Sequence, residues 1–365
     1  MSTLIRFNSE DIVIDTKRIS TSTWADNTNN LGTAFTSSMQ SDQTLPSSQG
    51  NFFIDVYNMH TGSISSSKEY SIAYGHRDGS GSLDFTNDTG SFGYSATRWN
   101  YSHYRQLVFG DELQEFNFNG FTPQDVWIIN IERKNYKQNL KPGTMHLQIG
   151  NSETMQVVHL TDNSVTTTGS AKMTMCGRQY DIVSGSSGEA YFNTLTGKGH
   201  AANLSAEIGN EDSGSYGLFY PDAGFIILNA DALAATTRTG GNGDPLNLTN
   251  LTHHTPSNAP GHNMKKLHKA IQYGNNFIID SEEKVTSQYY FTRVKNSEFN
   301  YTTNPSFIDD QGNLRFQSMA DQPQVYITTV GLYDDNQNLL AVAKLSQPLP
   351  KDFTKEALIK VKLDY

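Results

Sequence analysis

The C-terminal stretch from Gln324 to Tyr365 restricts most strongly the folds that this chain can adopt. Two runs of β-branched and apolar residues, VYITTVGLY and LLAVAKL, flank the polar turn DDNQN, which predicts a β-hairpin. After a break marked by prolines, ALIKVKLDY alternates strictly, so Ile359, Val361, Leu363 and Tyr365 are expected on one face of a third strand. We therefore predict a three-stranded unit that forms the nucleus of a mainly β core.

Strand patterns recur through the rest of the chain. NFFIDVYNM and KEYSIAYGH are predicted to pair, and DVWIINIER is typical of a buried strand. The turn at residues 141–143 would lead into MHLQIG as the hairpin partner of DVWIINIER. KMTMCGRQYDIV is predicted as one strand, and GFIILNADAL as a strand that leads to a short helix. The predicted fold is mainly β, with antiparallel, sandwich-like sheets, a few short helices and long polar loops.

Two segments have helical patterns. SATRWNYSHYRQLVF is predicted to begin at the cap Ser95 and to end before Gly110. Residues 263–273 are predicted to form an amphipathic helix that ends at Gly274. Its apolar face would consist of Met264, Leu267, Ala270 and Ile271.

Composition shifts suggest four segments. Residues 1–50 are predicted to form an extended N-terminal arm, residues 51–160 a β-rich domain, and residues 161–275 a mixed region of strands and loops inserted after it. Residues 276–365 would form a C-terminal β domain that packs against 51–160.

The arm is too polar to build a core of its own. We expect it either to lie over a partner or to be a disordered tail. Trp24 and Phe35 are its candidate docking anchors, because large aromatic side chains in a polar arm suggest docking.

The charge balance argues against two classes of partner. The chain has 27 basic and 37 acidic residues, a net charge of −10, which disfavours nucleic acid and anionic membranes. The small cluster Lys265, Lys266 and Lys269 is expected to form a solvated helix face. No run is long enough to cross a bilayer, so no membrane insertion is expected. The N-terminal residues show no secretory signal pattern, and the single cysteine allows no internal disulfide, so synthesis in a cytoplasm is expected.

The chain carries only 18% charged residues, together with 18 Tyr and 19 Phe. Ordinary domains carry about a quarter charged residues. Interface cores are depleted in charge and enriched in aromatics, so this composition favours a subunit that neighbours partly cover. Loop-rich β proteins can have the same composition without such neighbours.

Histidines give the strongest candidate for metal binding or catalysis. His253, His254, His262 and His268 fall within one loop-helix segment. A helix-borne metal site needs two His four residues apart or a Cys/His quartet, and neither spacing occurs here. The interpretation as ordinary polar residues is therefore preferred.

Other candidates for chemistry are equally weak. The acidic turns at 309–313 and 334–338 lack the calcium-loop spacing and fit hairpin turns better. The chain has no G-x-S-x-G motif, and Cys176 lies in a predicted strand, where a buried thiol is commoner than a nucleophile. Trp99, Tyr101 and Tyr104 could form a sugar-stacking platform, although their helical spacing favours core positions. We predict no catalytic, cofactor-binding or metal-ligating residue, and no enzyme.

Several phrases together resemble a known family. They are YGHRDGSGS, YSHYRQLVFGDE, DVWIINIERKNYKQNLKPGTMHLQI, YGLFYPDAGFIILNADAL, FNYTTNPSF and the C-terminal block. Their order and spacing are similar to virion structural proteins of large contractile-tailed phages, such as those that infect cyanobacteria. The resemblance extends from about Ile5 to Tyr365, and the C-terminal block is its most specific part.

The resemblance implies a non-enzymatic tail or baseplate subunit without a cofactor. Its expected partners are other virion proteins, with further copies of itself as a second candidate, and its expected location is the virion. Two alternatives stay open: a glycan- or receptor-binding tail protein, and a depolymerase attached to a tail. Fibres tend to show repeats or coiled-coil heptads, and neither is visible.

Overall fold

A computed structural model describes residues 4–25, 53–59, 62–79, 96–151, 156–165, 171–190, 192–193, 198–199, 215–234, 262–302 and 304–365. The predicted fold class is confirmed: the protein is mainly β, with antiparallel sheets and few short helices. Contacts divide the chain into two compact units. Unit 1 comprises Met1–Arg18 and Lys284–Tyr365, and unit 2 comprises Ile19–Glu283.

The described residues form strands β1 (Ile12–Ser22), β2 (Phe53–Tyr57), β3 (Lys68–His76), β4 (Asp125–Ile131), β5 (Asn139–Leu140), β6 (His146–Asn151), β7 (Gln156–Asp162), β8 (Lys172–Thr174), β9 (Gly177–Ser186), β10 (Glu189–Ala190), β11 (Phe192–Asn193), β12 (Lys198–Gly199), β13 (Gly217–Tyr220), β14 (Phe225–Asn229), β15 (Phe277–Ile278), β16 (Asp280–Val294), β17 (Val325–Tyr333), β18 (Leu339–Lys351) and β19 (Ala357–Asp364). Their helices are α1 (Ala96–Phe109), α2 (Ala230–Ala234), α3 (His262–Gly274) and α4 (Gln317–Asp321), with 3₁₀ turns at Ser9–Asp11 and Arg133–Asn135.

Unit 2 is built on one large antiparallel sheet that curls like half a barrel. Its strand order is β15-β6-β7-β9-β13-β14-β4-β3-β2, and β8 and β10 also pair with β9. The central strands β4 and β14 are buried on both faces. This burial explains why VWIINI and FIILN are nearly continuous apolar runs rather than alternating ones.

Each face of this sheet packs under a helix. On one face, Trp127, Ile129 and Leu228 belong to the same buried cluster as Met264 and Leu267 of α3. The opposite face belongs to a second cluster, which includes Val126, Ile128 and Ile227 of the sheet, Tyr101 and Val108 of α1, and Phe116 and Phe118. Successive residues of one strand therefore point to opposite faces of the sheet and pack into two separate cores.

Three pairing predictions can be compared with this sheet. β2 and β3 pair as predicted. The prediction that MHLQIG pairs with DVWIINIER is wrong, because β4 pairs with β3 and β14, while β6 pairs with β7 and β15. KMTMCGRQYDIV is not one strand, because the chain turns at Met175 and Cys176 and β8 folds back on β9. The short helix α2 follows β14 as predicted, and Asn229 Oδ1 caps it by accepting the Asp231 N–H at 3.1 Å.

Both predicted helices of unit 2 are present. α1 ends at Phe109, as predicted. α3 buries its predicted apolar residues Met264, Leu267, Ala270 and Ile271. Gly274 has a different role from the predicted one, because Asn275 takes the left-handed conformation that ends the helix, with φ of 53°. A Cβ on Gly274 would lie only 2.1 Å from the Gln148 carbonyl oxygen, so glycine allows α3 to approach β6 closely.

Part of the predicted arm is ordered against its own chain. Trp24 is 2% exposed, and its Nε1 donates to the Phe277 carbonyl at 2.9 Å. Its ring also contacts Tyr70 and Phe277, with centroids 6.2 and 4.9 Å apart. Trp24 is thus an anchor, but within unit 2 rather than on a partner. Phe35 lies outside the described residues.

Unit 1 is a small sandwich of two sheets. One sheet contains β1, β16 and β19 in that order, and the other is the hairpin of β17 and β18. Val330 and Leu332 of the hairpin cluster with Ile359 and Val361 of β19, and Phe7 and Tyr290 pack around them. The first residues of β16, Ser281 and Glu282, belong to unit 2, where they pair with β5.

The C-terminal prediction is correct in part. The hairpin of β17 and β18 is present, and Ile359, Val361 and Leu363 face the core of unit 1. The three predicted strands share one core, but β19 hydrogen-bonds to β16 rather than to the hairpin. Tyr365 is 68% exposed, since β19 ends before it. β18 extends through Pro348 and Pro350 to Lys351, but its pairing with β17 is interrupted before Leu349, where the register shifts between Ile327 and Thr329.

The predicted segments differ from the two compact units. Residues 51–160 and 161–275 contribute strands to the same large sheet, and residues 1–18 belong to unit 1 together with the C-terminal strands. The four-segment division stays a prediction about domains.

Candidate functional site

An open groove of about 1780 Å³ lies in unit 1. One part of its wall is the N-terminal segment Leu4–Phe7, and another is β17. The third part is the irregular stretch between β16 and β17, which includes α4. All residues that line the groove belong to unit 1.

Large apolar side chains line this groove without being buried. Tyr326 is 60% exposed, Tyr301 58%, Phe316 52% and Ile5 52%. Phe307 and Phe316 form an edge-to-face pair with centroids 5.7 Å apart, which gives the groove a preformed aromatic wall. Single exposed apolar residues are ordinary, but a contiguous set in a concavity is typical of an interaction site.

A tight turn contributes Asp334, Asp335 and Gln337 to the lining of the groove. The carboxylate of Asp334 accepts the Asn338 backbone N–H at 2.7 Å and the Asn338 side-chain amide at 2.9 Å. These hydrogen bonds, chiefly that of the side chain, lower the pKa of Asp334. Arg6 lies 4.0 Å from Asp335, and both side chains are almost fully exposed, so this ion pair adds little stability.

The turn at 309–313 has the same design. Asp309 accepts the Asn313 backbone N–H at 2.7 Å and the Asn313 side-chain amide at 3.1 Å, and the backbone bond is the main cause of its lowered pKa. Gly312 and Gln337 occupy equivalent positions, with φ of 85° and 67°. The carboxylates of Asp309 and Asp334 thus hold the turns together, in agreement with the preference for turns over calcium loops.

The histidine segment is only partly described. His253 and His254 lie outside the described residues, and the same holds for the side chain of His262. His268 is buried in α3, and burial lowers its pKa to about 4, so its imidazole is neutral at pH 7. Within the described parts of the chain, no three His, Cys, Asp or Glu side chains are grouped to hold a metal ion.

The other sequence candidates are also dispersed. Cys176 is half-buried beside Thr174 Oγ1 at 3.3 Å, and burial raises the pKa of its thiol, which disfavours a nucleophile. The proposed aromatic platform does not form, because Tyr101 is fully buried whereas Trp99 is 65% exposed on α1. Tyr104 packs edge-to-face on Phe225, with centroids 5.2 Å apart.

The lysine cluster on α3 also differs from its prediction. Lys269 is exposed, as a solvated face requires, but Lys266 is buried. Burial lowers the pKa of Lys266 to about 8. The prediction of a solvated face is therefore wrong for Lys266, whose side chain keeps only 7% of its surface exposed.

Sequence reasoning missed the residues that form the groove. FNYTTNPSF carries three aromatic residues in a stretch without strand or helix periodicity, Phe299, Tyr301 and Phe307. That density is a usable signal, because apolar side chains in an irregular segment need either a core or a partner. Tyr326 could have been found from the alternation of β17, which directs it away from the core of unit 1.

No known family model matches this chain, and no curated protein or solved structure shows significant similarity to it. None of the helices in the described parts of the chain combines the length and apolar character needed to cross a bilayer. The functional assignment therefore depends on the groove and on the resemblance of the sequence phrases.

Proposed function

We propose that this protein is a non-enzymatic structural subunit of a phage virion, a component of the tail or baseplate that is made in the host cytoplasm. The observation that supports an assembly role is the exposed apolar groove of unit 1. The resemblance of the sequence phrases to virion proteins supports the phage context.

The energetics of the groove favour association with another protein. Fully burying one large apolar side chain contributes about 1.5–3 kcal/mol. Tyr301, Phe316 and Tyr326 each keep more than half of their surface exposed, so a partner that covers them would gain several such contributions. Buried aromatic anchors are also the residues that dominate protein interfaces. The partner proposed for the groove is an apolar segment of a neighbouring virion protein.

The arm and a long loop are further proposed contacts. They are residues 1–50 and 238–262, of which 26–50 and 238–261 lie outside the described residues, so the proposal for those parts depends on their polar, loop-like sequence. Limited proteolysis of the free protein and of intact particles tests it. We expect cleavage in both segments of the free chain and protection in particles, whereas equal resistance in the free chain would contradict the proposal.

Competitive incorporation into particles tests the groove. Cells infected with the phage that encodes this chain would express a tagged copy, either unchanged, with Tyr326→Asp and Phe316→Asp, or with Leu340→Asp. Leu340 is 68% exposed in unit 1 but does not line the groove, so it is a matched control. We expect the unchanged and control copies in purified particles, and at least tenfold less of the groove variant.

Two results would contradict the proposal. Equal incorporation of all three copies would exclude the groove as the contact. Absence of the chain from highly purified particles would exclude the structural role itself.

A second candidate is a glycan- or receptor-binding tail protein. The exposed rings of Tyr301 and Tyr326 lie in the same groove as the amides of Asn304 and Gln322, a combination that can stack on and hydrogen-bond to sugars. Binding of purified protein to host-surface polysaccharide, lost on Tyr326→Ala but retained by the Leu340→Asp control, would favour this function over assembly.

A further inference from the structure

Two histidines of unit 2 face each other on neighbouring strands, away from the core. His146 lies on β6 and His159 on β7, and the adjacent residues Leu147 and Leu160 point into the buried cluster on the other side of the sheet. His146 Nε2 lies 3.0 Å from His159 Nδ1, and the two rings are nearly parallel, at 22°. Both side chains are partly exposed, so a solute can reach them.

A third polar side chain completes a triangle. Gln148 lies two residues after His146 on β6 and directly opposite His159. Its terminal amide is 3.4 Å from His146 Nε2 and 3.2 Å from His159 Nδ1. A half-turn of the amide places its carbonyl oxygen, a possible metal ligand, at this position.

The three distances match the spacing of ligands around one small cation. Zinc–nitrogen bonds are about 2.0–2.1 Å long, so two ligand atoms of a tetrahedral zinc ion lie about 3.3 Å apart. The edges of the triangle measure 3.0, 3.2 and 3.4 Å. Neighbouring side chains commonly share a single contact of this length. Here three potential ligand atoms from two strands lie within 3.4 Å of one another.

A neighbouring amide is placed to orient His146. Asn276 lies 3.0 Å from His146 Nδ1 through its side-chain nitrogen, while its Oδ1 is buried without a hydrogen-bond partner. Turning this amide by half a turn lets Oδ1 accept the His146 Nδ1–H. That hydrogen bond would leave the Nε2 lone pair directed at the triangle, as in many metal-binding histidines, while the amide nitrogen takes the buried position.

The backbone holds this arrangement in place. The Gln148 N–H donates to the Asn276 carbonyl at 2.9 Å, and β6 pairs with β7 through five residue pairs.

We propose that His146, His159 and Gln148 form a binding site for a first-row divalent transition metal such as Zn²⁺, with solvent completing its coordination and Asn276 orienting His146. Imidazole ligands favour Zn²⁺, Cu²⁺ and Ni²⁺ over Mg²⁺ and Ca²⁺. The site is independent of the groove and of the proposed assembly role.

The test uses the full-length protein, free of affinity tags and treated with a chelator. Isothermal titration with Zn²⁺ at pH 7.5 gives the number of sites, and Co²⁺ absorption between 500 and 650 nm reports their geometry. We expect that the double variant His146→Gln and His159→Gln loses one zinc equivalent, while His103→Gln, which changes an exposed histidine on α1, keeps it. Circular dichroism verifies that the variants are folded.

Two further variants separate a metal site from a simple hydrogen bond between the rings. Gln148→Glu introduces a stronger zinc ligand and should tighten binding, an outcome that a ring-to-ring hydrogen bond does not predict. Asn276→Ala removes the orienting amide and should weaken binding about tenfold. Unchanged zinc stoichiometry in the double histidine variant, or no saturable binding to the unchanged protein, would overturn the proposal.

Discussion

Unit 2 and unit 1 differ in how completely they bury their apolar side chains. In unit 2 the large sheet is buried on both faces, and Trp127, Ile129 and Leu228 have no exposed surface. The core cluster of unit 1 has only four buried members, of which Val330 and Ile359 each keep 9% exposure. More than half of the large exposed apolar side chains among the described residues belong to unit 1, although it is much the shorter unit.

This difference indicates a division of roles. Unit 2 has enough internal burial to be a stable scaffold by itself. Unit 1 leaves apolar surface uncovered, and part of that surface lines the groove. The stability of unit 1 should therefore depend on binding more strongly than that of unit 2.

The largest expected effect is a difference between two matched leucine truncations. Leu228→Ala should lower the free energy of unfolding of unit 2 by about 3–5 kcal/mol, because the cavity is closed on all sides. Leu332→Ala should lower that of unit 1 by about 2 kcal/mol, because its half-exposed neighbours can move and rehydrate. Urea unfolding measures unit 2 by tryptophan fluorescence, since all three tryptophans lie in it. Hydrogen exchange of β17 and β19 measures the free energy of unfolding of unit 1. Equal losses of free energy in the two units would contradict the proposed difference between them.

Acid should destabilise unit 2 through His268. Burial holds its folded-state pKa at about 4, against about 6.5 in the unfolded chain. The unfolded chain therefore binds the proton more readily, so stability is complete above pH 6.5 and falls as the pH drops towards 4. The loss should reach about 3 kcal/mol. His268→Leu should remove this part of the pH dependence, and the exposed-site control His103→Leu should retain it in the same fluorescence experiment.

Lys351 supplies unit 1 with a buried polar connection. Its Nζ donates to the Asn296 carbonyl and to Asn300 Oδ1, each at 2.9 Å, and to the Asp352 carbonyl at 3.2 Å. Lys351→Met should lower the stability of unit 1 by about 2 kcal/mol, because these oxygens lose a charged donor. Lys344→Met on the exposed side of β18 is the control. Hydrogen exchange of β18 measures the stability of unit 1 in both variants. Equal losses in the two variants would show that the buried amine of Lys351 adds no stability.

The smallest expected effect concerns the two equivalent turns of unit 1. Gln337→Gly should stabilise unit 1 by up to about 1 kcal/mol, because a side chain is disfavoured at its positive φ of 67°. Gly312→Ala should destabilise unit 1 by a similar amount, since the φ of Gly312 is 85°. Thermal unfolding followed by circular dichroism distinguishes the signs, and two changes of the same sign would argue against backbone strain as the cause.

Local patterns in the sequence predicted the strands and helices better than they predicted which strands pair with each other. The alternation of ALIKVKLDY correctly assigned the inner face of β19, but its pairing with β16 joins residues far apart in the chain. The same limit explains the error at DVWIINIER, whose partner β14 lies almost a hundred residues further on. Strand partners depend on the whole topology, whereas strand faces depend only on neighbouring residues.

The candidate sites were harder to predict than the fold. The aromatic residues of the groove come from the N-terminal segment, an irregular stretch and β17, and only folding brings them together. His146, Gln148 and His159 lie on the outer faces of β6 and β7, so their convergence becomes visible only when those strands are known to pair. His253, His254, His262 and His268 are clustered in the sequence and therefore form a more visible pattern than His146 and His159, which are separated by 13 positions.

The passage of β18 through Pro348 and Pro350 has a consequence for assembly. A two-stranded sheet has free edges, and an open edge can recruit the same strand of another molecule without limit. Proline has no N–H to offer an incoming strand, so this stretch of β18 has two fewer backbone donors than an ordinary strand of the same length. A second copy of the chain should therefore add to it less readily than to an uninterrupted strand.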